Sequence, residues 1–236
     1  MKSYIYISES KLKHLFQQLP DNFKGIDAEI KAKFLVIEAA IKTGNIENTT
    51  ISMLDEVTKY LEKKTQIGTI EYPGEWVKEK VIVRPIKSSL NPSLFGLVGK
   101  LPEIEHYFLL GGSKRNVIGN LESGEYSTAN SYWPYLVEAI VESYENIEKN
   151  SGHLMNDKRY KINHSNIAAG VNGSELASTI RDFYRMVTYP EFEVEFLGKH
   201  LATEYFQDWS MEAYKELGIE NPDKSSFFTP LYVRYC

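Results

Sequence analysis

A glycine-rich stretch followed by two cations is the part of this sequence best suited to binding an anion. Its members are Gly111, Gly112, Ser113, Lys114 and Arg115. Glycine leaves backbone N–H groups unobstructed, and a hydroxyl and two positive charges follow. The Gly-x-x-x-x-Gly-Lys-Ser/Thr spacing of a P-loop is absent, and two glycines after a strand are also typical of a hairpin turn. We expect either a tight turn, the commoner use, or a contact with a phosphate or another anion.

A serine and a lysine three residues apart lie where a predicted strand meets a predicted helix. Ser8 and Lys11 have the Ser-x-x-Lys spacing that brings a lysine amine near a serine hydroxyl in acyl-transfer enzymes. The same serine can cap the helix. The companion Ser-Asp-Asn motif is absent, and the one Lys-Thr-Gly, at 42–44, comes too early in the chain. We expect Ser8 to be a helix cap rather than a nucleophile.

The five histidines do not form a helical metal-binding pair, because none lies three or four residues from another. His106 begins an apolar run, and we expect its polar atoms to be satisfied. His153 and His164 lie with Arg159 in a polar segment, which makes them the first candidates for a general acid or base. A solvated loop is the more common explanation for polar residues of this kind. No metal and no cofactor are expected.

The composition is that of an ordinary globular protein, with 42% hydrophobic and 25% charged residues in 236. The net charge of −5 gives no positive field for phosphates, which argues against a dedicated nucleic-acid binder. Cys236 is the only cysteine, so an internal disulfide is excluded. Because no signal-peptide pattern and no long apolar stretch occur, we expect a cytoplasmic protein without membrane contact.

Hydrophobic periodicity predicts the elements that must position these residues. Alternating or extended apolar patterns predict strands at 3–8, 76–83, 106–110, 192–196 and 227–235. We also predict a strand at 28–41, although its length and the pair Ala39 and Ala40 would suit a helix as well. Helical spacing predicts helices at 9–19, 52–61, 131–147, 174–187 and 210–217. The proline- and glycine-bearing piece 88–102 is expected to be a loop, and 150–173 a mobile loop or insertion. The prediction is an α+β fold over 1–236: a single compact mixed domain with an antiparallel or mixed sheet and several packed helices.

Four short stretches stand in an order that resembles a known family. They are Tyr-Ile-Tyr-Ile-Ser-Glu-Ser-Lys-Leu at 4–12, Gly-Glu-Trp-Val at 74–77, the segment 109–119, and Thr-Pro-Leu-Tyr-Val at 229–233. They resemble an uncharacterised family of bacterial proteins of unknown function, similar to members found near the caspase and tetratricopeptide-repeat associated (CATRA) conflict systems. The family pattern has a histidine three residues after Gly-Ser, where this chain has Asn116. If that histidine is catalytic in relatives, this chain lacks it.

The resemblance implies a bacterial defence or conflict setting. We expect a non-catalytic sensor or adaptor that binds a phosphorylated, nucleotide-like small molecule or a partner protein through the glycine-rich segment. The alternative is an enzyme acting on a nucleotide or another phosphorylated substrate, with His153 or His164 as acid or base and Lys114 or Arg115 holding the phosphate. A third interpretation is a purely structural subunit. Its 16 tyrosines would then form an interface with a partner protein or with further copies of the chain in an oligomer.

Overall fold

The computed structural model describes residues 3–20, 47–86, 93–119, 177, 180, 181, 183–185, 189–205 and 223–236. Its strands are β1 (Tyr4–Ile7), β2 (Ile67–Gly68), β3 (Trp76–Ile86), β4 (Leu94–Lys100), β5 (His106–Ser113), β6 (Phe192–Tyr205) and β7 (Lys224–Tyr235). Its helices are α1 (Glu9–Gln18) and α2 (Glu47–Lys64), and a 3-10 turn (Lys114–Asn116) follows β5. Residues 177, 180, 181 and 183–185 are also helical.

Five of these strands close into a barrel. β3, β4 and β5 form an antiparallel meander, and β6 returns to pair with β3. β7 then closes the ring, antiparallel to β6 and parallel to β5. Counted along the chain, the barrel strands therefore run first, second, third, fifth, fourth around the ring, which is the Greek-key order of OB-type barrels. β1 pairs with the end of β7 that extends beyond β5, and β2 pairs with the start of β3, which β4 does not reach.

The barrel encloses one core and carries a second on its outer face. Alternate residues of the strands point inward and include Val81, Phe108 and Phe196, which are buried together. The outer core joins α1 and α2 to the opposite faces of the same strands, at positions such as Trp76 and Leu231. Because both faces of β4 and β5 are buried, their sequences are nearly continuous apolar runs and do not alternate between apolar and polar residues.

The predicted fold class is therefore wrong, since strands dominate the described residues and five of them form a closed barrel. The strands are longer than predicted: β3 continues through Pro85, which pairs with Leu97. β4 also occupies much of the predicted loop 88–102. Its Gly99 looked like a loop signal, but a Cβ there would collide with the Phe108 ring. The glycine makes room for a bulky neighbour across the ladder.

Of the other predicted elements, some are confirmed, one begins at a different residue and some lie outside the described residues. The predicted strand at 3–8, helix at 9–19 and strand at 106–110 correspond to β1, α1 and β5. The helix predicted to begin at Ser52 begins earlier, at Glu47. The predictions for 28–41, 131–147, 150–173 and 210–217 lie outside the described residues. No helix in the described ranges combines the length and apolarity that a membrane crossing needs.

Candidate functional site

The two glycines of the candidate anion segment lie inside a strand. Gly111 and Gly112 belong to β5 and stand opposite Gly96 and Phe95 of β4, and both are buried. A Cβ on Gly112 would collide with the phenol of Tyr6. Glycine is therefore needed here so that the Tyr6 ring can approach the strand, and the two residues do not form an exposed nest.

The chain turns immediately after these glycines. The Ser113 hydroxyl accepts a hydrogen bond of 3.4 Å from the Arg115 N–H, which caps the 3-10 turn. The Lys114 N–H donates to the Ser93 carbonyl at 2.7 Å and fixes the turn against the start of β4. Lys114 is half-buried, whereas Arg115 is exposed. Turn and cations thus lie at one end of the barrel, and the anion contact stays a prediction.

Tyr6 of β1 joins this turn to the start of α1. Its hydroxyl accepts a hydrogen bond from Asn116 Nδ2 at 3.2 Å and also bonds the Ser8 side chain and the Ser113 backbone. The ring is fully buried and stacks on Phe95 with 4.6 Å between centroids. Burial raises the pKa of the Tyr6 phenol, so it stays protonated at neutral pH. Asn116 therefore has a structural partner.

Ser8 and Lys11 contact different groups. Ser8 occupies the N-cap position of α1, as predicted, yet its hydroxyl makes no capping bond. Lys11 donates through Nζ to the Thr229 hydroxyl and, at 3.3 Å, to the Pro230 carbonyl of β7. Because each side chain has its own partners, the structure does not assemble a serine–lysine nucleophile pair.

The Lys11 ammonium lacks an acidic partner within the described part of the chain. Its two hydrogen-bond acceptors are neutral oxygens, and burial lowers the pKa of Lys11 to about 8. Lys13, two residues further along the same helix, pairs with Glu9 at 3.7 Å. A desolvated cation without a counter-ion is costly, and an anion bound beside it would offset that cost. We call Lys11, Ser8, Tyr6, Ser113 and Asn116 the lysine end of the barrel.

A second polar cluster occupies the opposite end of the barrel, where β5 and β7 begin. His106 Nε2 lies 2.8 Å from Ser226 Oγ, which lies 2.8 Å from Thr203 Oγ1. Thr203 Oγ1 in turn lies 2.9 Å from His200 Nε2. We call these four residues the histidine end. Sequence reasoning missed all but His106, although Ser226 lies two residues before the inward-facing Phe228 of β7, and a serine is an unusual residue at such a core position.

His106 is held neutral in this cluster. Burial is the main cause that lowers its pKa to about 3, followed by the charges of Lys224 and His200. Its Nδ1 atom is buried and has no hydrogen-bond partner among the described residues. The expectation that the polar atoms of His106 are satisfied is therefore wrong.

The remaining predicted site residues cannot be assigned to the lysine end or to the histidine end. His153, Arg159 and His164 lie outside the described residues. Within the described ranges, no three His, Cys, Asp or Glu side chains come together to hold a metal ion.

Comparison with other proteins gives one match. The sequence pattern of a family of unknown function matches residues 2–234, almost the whole chain. No curated protein and no solved structure matches significantly.

Proposed function

We propose a ligand-binding function for this chain, which belongs to the family of unknown function DUF7019. The protein is a non-catalytic sensor or adaptor whose lysine end binds a small phosphorylated molecule. The family match carries no functional description, so the bacterial conflict setting is a proposal that rests on the sequence resemblance alone.

The observation that carries this proposal is the Lys11 ammonium. It is partly buried against β7, with only the Thr229 hydroxyl and the Pro230 carbonyl as described partners. Tyr6 connects the start of its helix to the turn that bears Lys114 and Arg115. A phosphate that contacts Lys11 would replace the missing counter-ion with a charge-assisted hydrogen bond.

Two other functions have weaker support. An enzyme would need an acid or base, and His153 and His164 lie outside the described residues while the Ser8 hydroxyl bonds Tyr6. Oligonucleotide binding in OB-type barrels uses the outer face of the second and third strands. Here those strands are β4 and β5, whose outward residues Val98 and Leu109 are apolar and buried. A face of this kind offers phosphates no contact.

Calorimetric titration with pyrophosphate, at several pH values, tests the proposal. We expect saturable binding whose affinity, once the titration of pyrophosphate itself is subtracted, falls towards tenfold per pH unit above pH 8. The reason is that the anion prefers the protonated form of a lysine whose pKa is about 8. Lys11→Met should weaken binding at least tenfold, or about 1.4 kcal/mol.

Lys13→Met is the matched control, because Lys13 lies on the same helix but its side chain is 44% exposed and paired with Glu9. It should bind pyrophosphate like the unaltered protein. Equal weakening by both lysine variants would point to general charge effects. Binding that is unchanged in Lys11→Met, or no binding at all, would reject the proposal.

A further inference from the structure

The hydrogen-bond chain at the histidine end has a defined direction. The Ala202 backbone acts on the His200 ring in the sense that raises its pKa, which favours a ring N–H directed at the Ala202 carbonyl. Since Nε2 faces Thr203, the donating atom is Nδ1, and the neutral ring accepts through Nε2. The Thr203 hydroxyl then donates to His200 and accepts from Ser226. Ser226 accepts in turn from His106 Nε2–H.

This direction leaves His106 Nδ1 with a bare lone pair inside the barrel. It also excludes Ser226 as a nucleophile activated by His106, because the imidazole donates to the hydroxyl instead of accepting from it. A buried acceptor without a donor costs about 1–3 kcal/mol, and native proteins contain few such atoms. The position therefore suits a molecule that brings a hydrogen-bond donor.

A loop covers this end of the barrel. The segment between β2 and β3 places Ile70, which is fully buried, among the inward-facing core residues. The Ile70 N–H donates to Glu79 Oε2 of β3 at 2.6 Å. On the other side, Lys224 Nζ donates to the Glu71 carbonyl at 3.3 Å, and Lys224 stands opposite His106 in the ladder. The loop thus joins β3 to β7 at the end of the barrel where His106 lies.

We propose that the histidine end is a second binding site, which takes a small neutral molecule through an N–H or O–H group donated to His106 Nδ1, beneath the loop carried by Ile70. The charge of Lys224 acts on His106 and disfavours a cation there. A carboxylate or phosphate is disfavoured as well, because it presents acceptors to an acceptor. An amide or hydroxyl group is the chemistry that remains.

Nitrogen NMR of the full chain, labelled with ¹⁵N-histidine, tests this site directly. The free protein should show a neutral His106 with the proton on Nε2. Acetamide, which has N–H donors, should shift the Nδ1 resonance saturably, whereas N,N-dimethylacetamide, which has none, should not. A proton on Nδ1 in the free protein, or equal effects of the two amides, would overturn the proposal.

Two variants distinguish a covered site from a nitrogen that only water reaches. Glu79→Gln weakens the bond to the Ile70 N–H while leaving the core intact, so it should make opening of the loop less costly. We expect acetamide to half-saturate at about tenfold lower concentration in this variant, since the cost of opening enters the apparent affinity. Ile70→Ala should act in the same direction. If neither the unaltered protein nor these variants show a saturable shift, water alone occupies the site and the proposal fails.

Lys11→Met separates this proposal from the first one. Because Lys11 lies at the other end of the barrel, the variant should lose pyrophosphate binding and keep the acetamide response of His106. Loss of the acetamide response in folded Lys11→Met would show that the two ends are not independent sites.

Discussion

The two ends of the barrel differ in the protonation state of the ionisable group that each places beside the core. Each places ionisable groups beside an apolar core, where a charge is costly. At the lysine end, Lys11 stays a cation at neutral pH, surrounded by neutral oxygens. At the histidine end, His106 is neutral and forms a chain of hydroxyl and imidazole groups. Among the described residues, the first end lacks a negative charge, and the second lacks a hydrogen-bond donor for His106 Nδ1.

This difference predicts different ligands and different responses to pH. An end that lacks a counter-ion favours anions, and its stability improves when the cation loses its proton. An end that lacks a donor favours neutral molecules and suffers when acid protonates its imidazole. The variants below address one end at a time.

Gly112→Ala should have the largest effect, because it removes the space that Tyr6 needs at the lysine end. The new Cβ would collide with the phenol, and the buried ring, stacked on Phe95, has little room to retreat. We expect a loss of about 3 kcal/mol in the free energy of unfolding, typical of an overpacked core. Urea unfolding monitored by tyrosine fluorescence measures it.

Gly119→Ala serves as the control for this prediction. Gly119 has a φ of 79° but open space around it, so the only cost of alanine is the strain of a positive φ. The cost should be about 1 kcal/mol. If Gly112→Ala costs no more than Gly119→Ala, the Tyr6 contact does not determine the need for glycine.

These glycines also show how far the sequence could be read. Local patterns predicted β1, α1 and β5, where the periodicity is strong and continuous. They failed for β4, because Gly96 and Gly99 resemble turn residues until their partners across the ladder are known. The closure of the barrel depends on pairing between strands far apart in the chain, such as β5 with β7, and no local signal carries that information.

The candidate sites likewise divide into those with a local sequence pattern and those that depend on strand pairing. Ser8, Lys11 and the segment 111–115 were found because their spacing is local. Thr203, Ser226 and His200 meet His106 only through the ladder, so the histidine end could not be predicted from the sequence. The lack of an acid beside Lys11 among the described residues is likewise a property of the fold, since the one glutamate of its helix, Glu9, pairs with Lys13 instead.

Acid should destabilise the protein through His106, with the second largest effect. The pKa of His106 is about 3 in the folded chain and about 6.5 in the unfolded chain. Between these values the unfolded chain binds the proton and the folded chain does not, so stability falls as the pH decreases from 6.5 towards 3. We expect His106 to account for about 2 kcal/mol of loss between pH 6.5 and pH 4.5.

Chemical denaturation of His106→Gln at both pH values isolates this contribution. The variant should be less stable at pH 6.5 but lose about 2 kcal/mol less on acidification. His14→Gln is the control, because His14 is exposed on α1 and should leave the acid profile unchanged. If the stability of His106→Gln falls with acid as steeply as that of the unaltered protein, protonation of His106 is not the cause of the acid destabilisation.

Alkali should act on Lys11 in the opposite sense, with the smallest effect. Its pKa is about 8 in the folded chain and 10.5 in the unfolded chain, so the unfolded chain holds more protons between these values. Stability therefore rises with pH in this window, by about 1 kcal/mol after allowance for solvent near a partly buried side chain. Lys11→Met removes the desolvated charge, and its unfolding free energy should lack this rise while Lys13→Met retains it. Saturating pyrophosphate should also flatten the rise in the unaltered protein, because a bound anion raises the pKa of Lys11 towards its ordinary value. A rise that persists in Lys11→Met would mean that another group carries it, and the lysine end would then lose its physical argument for binding anions.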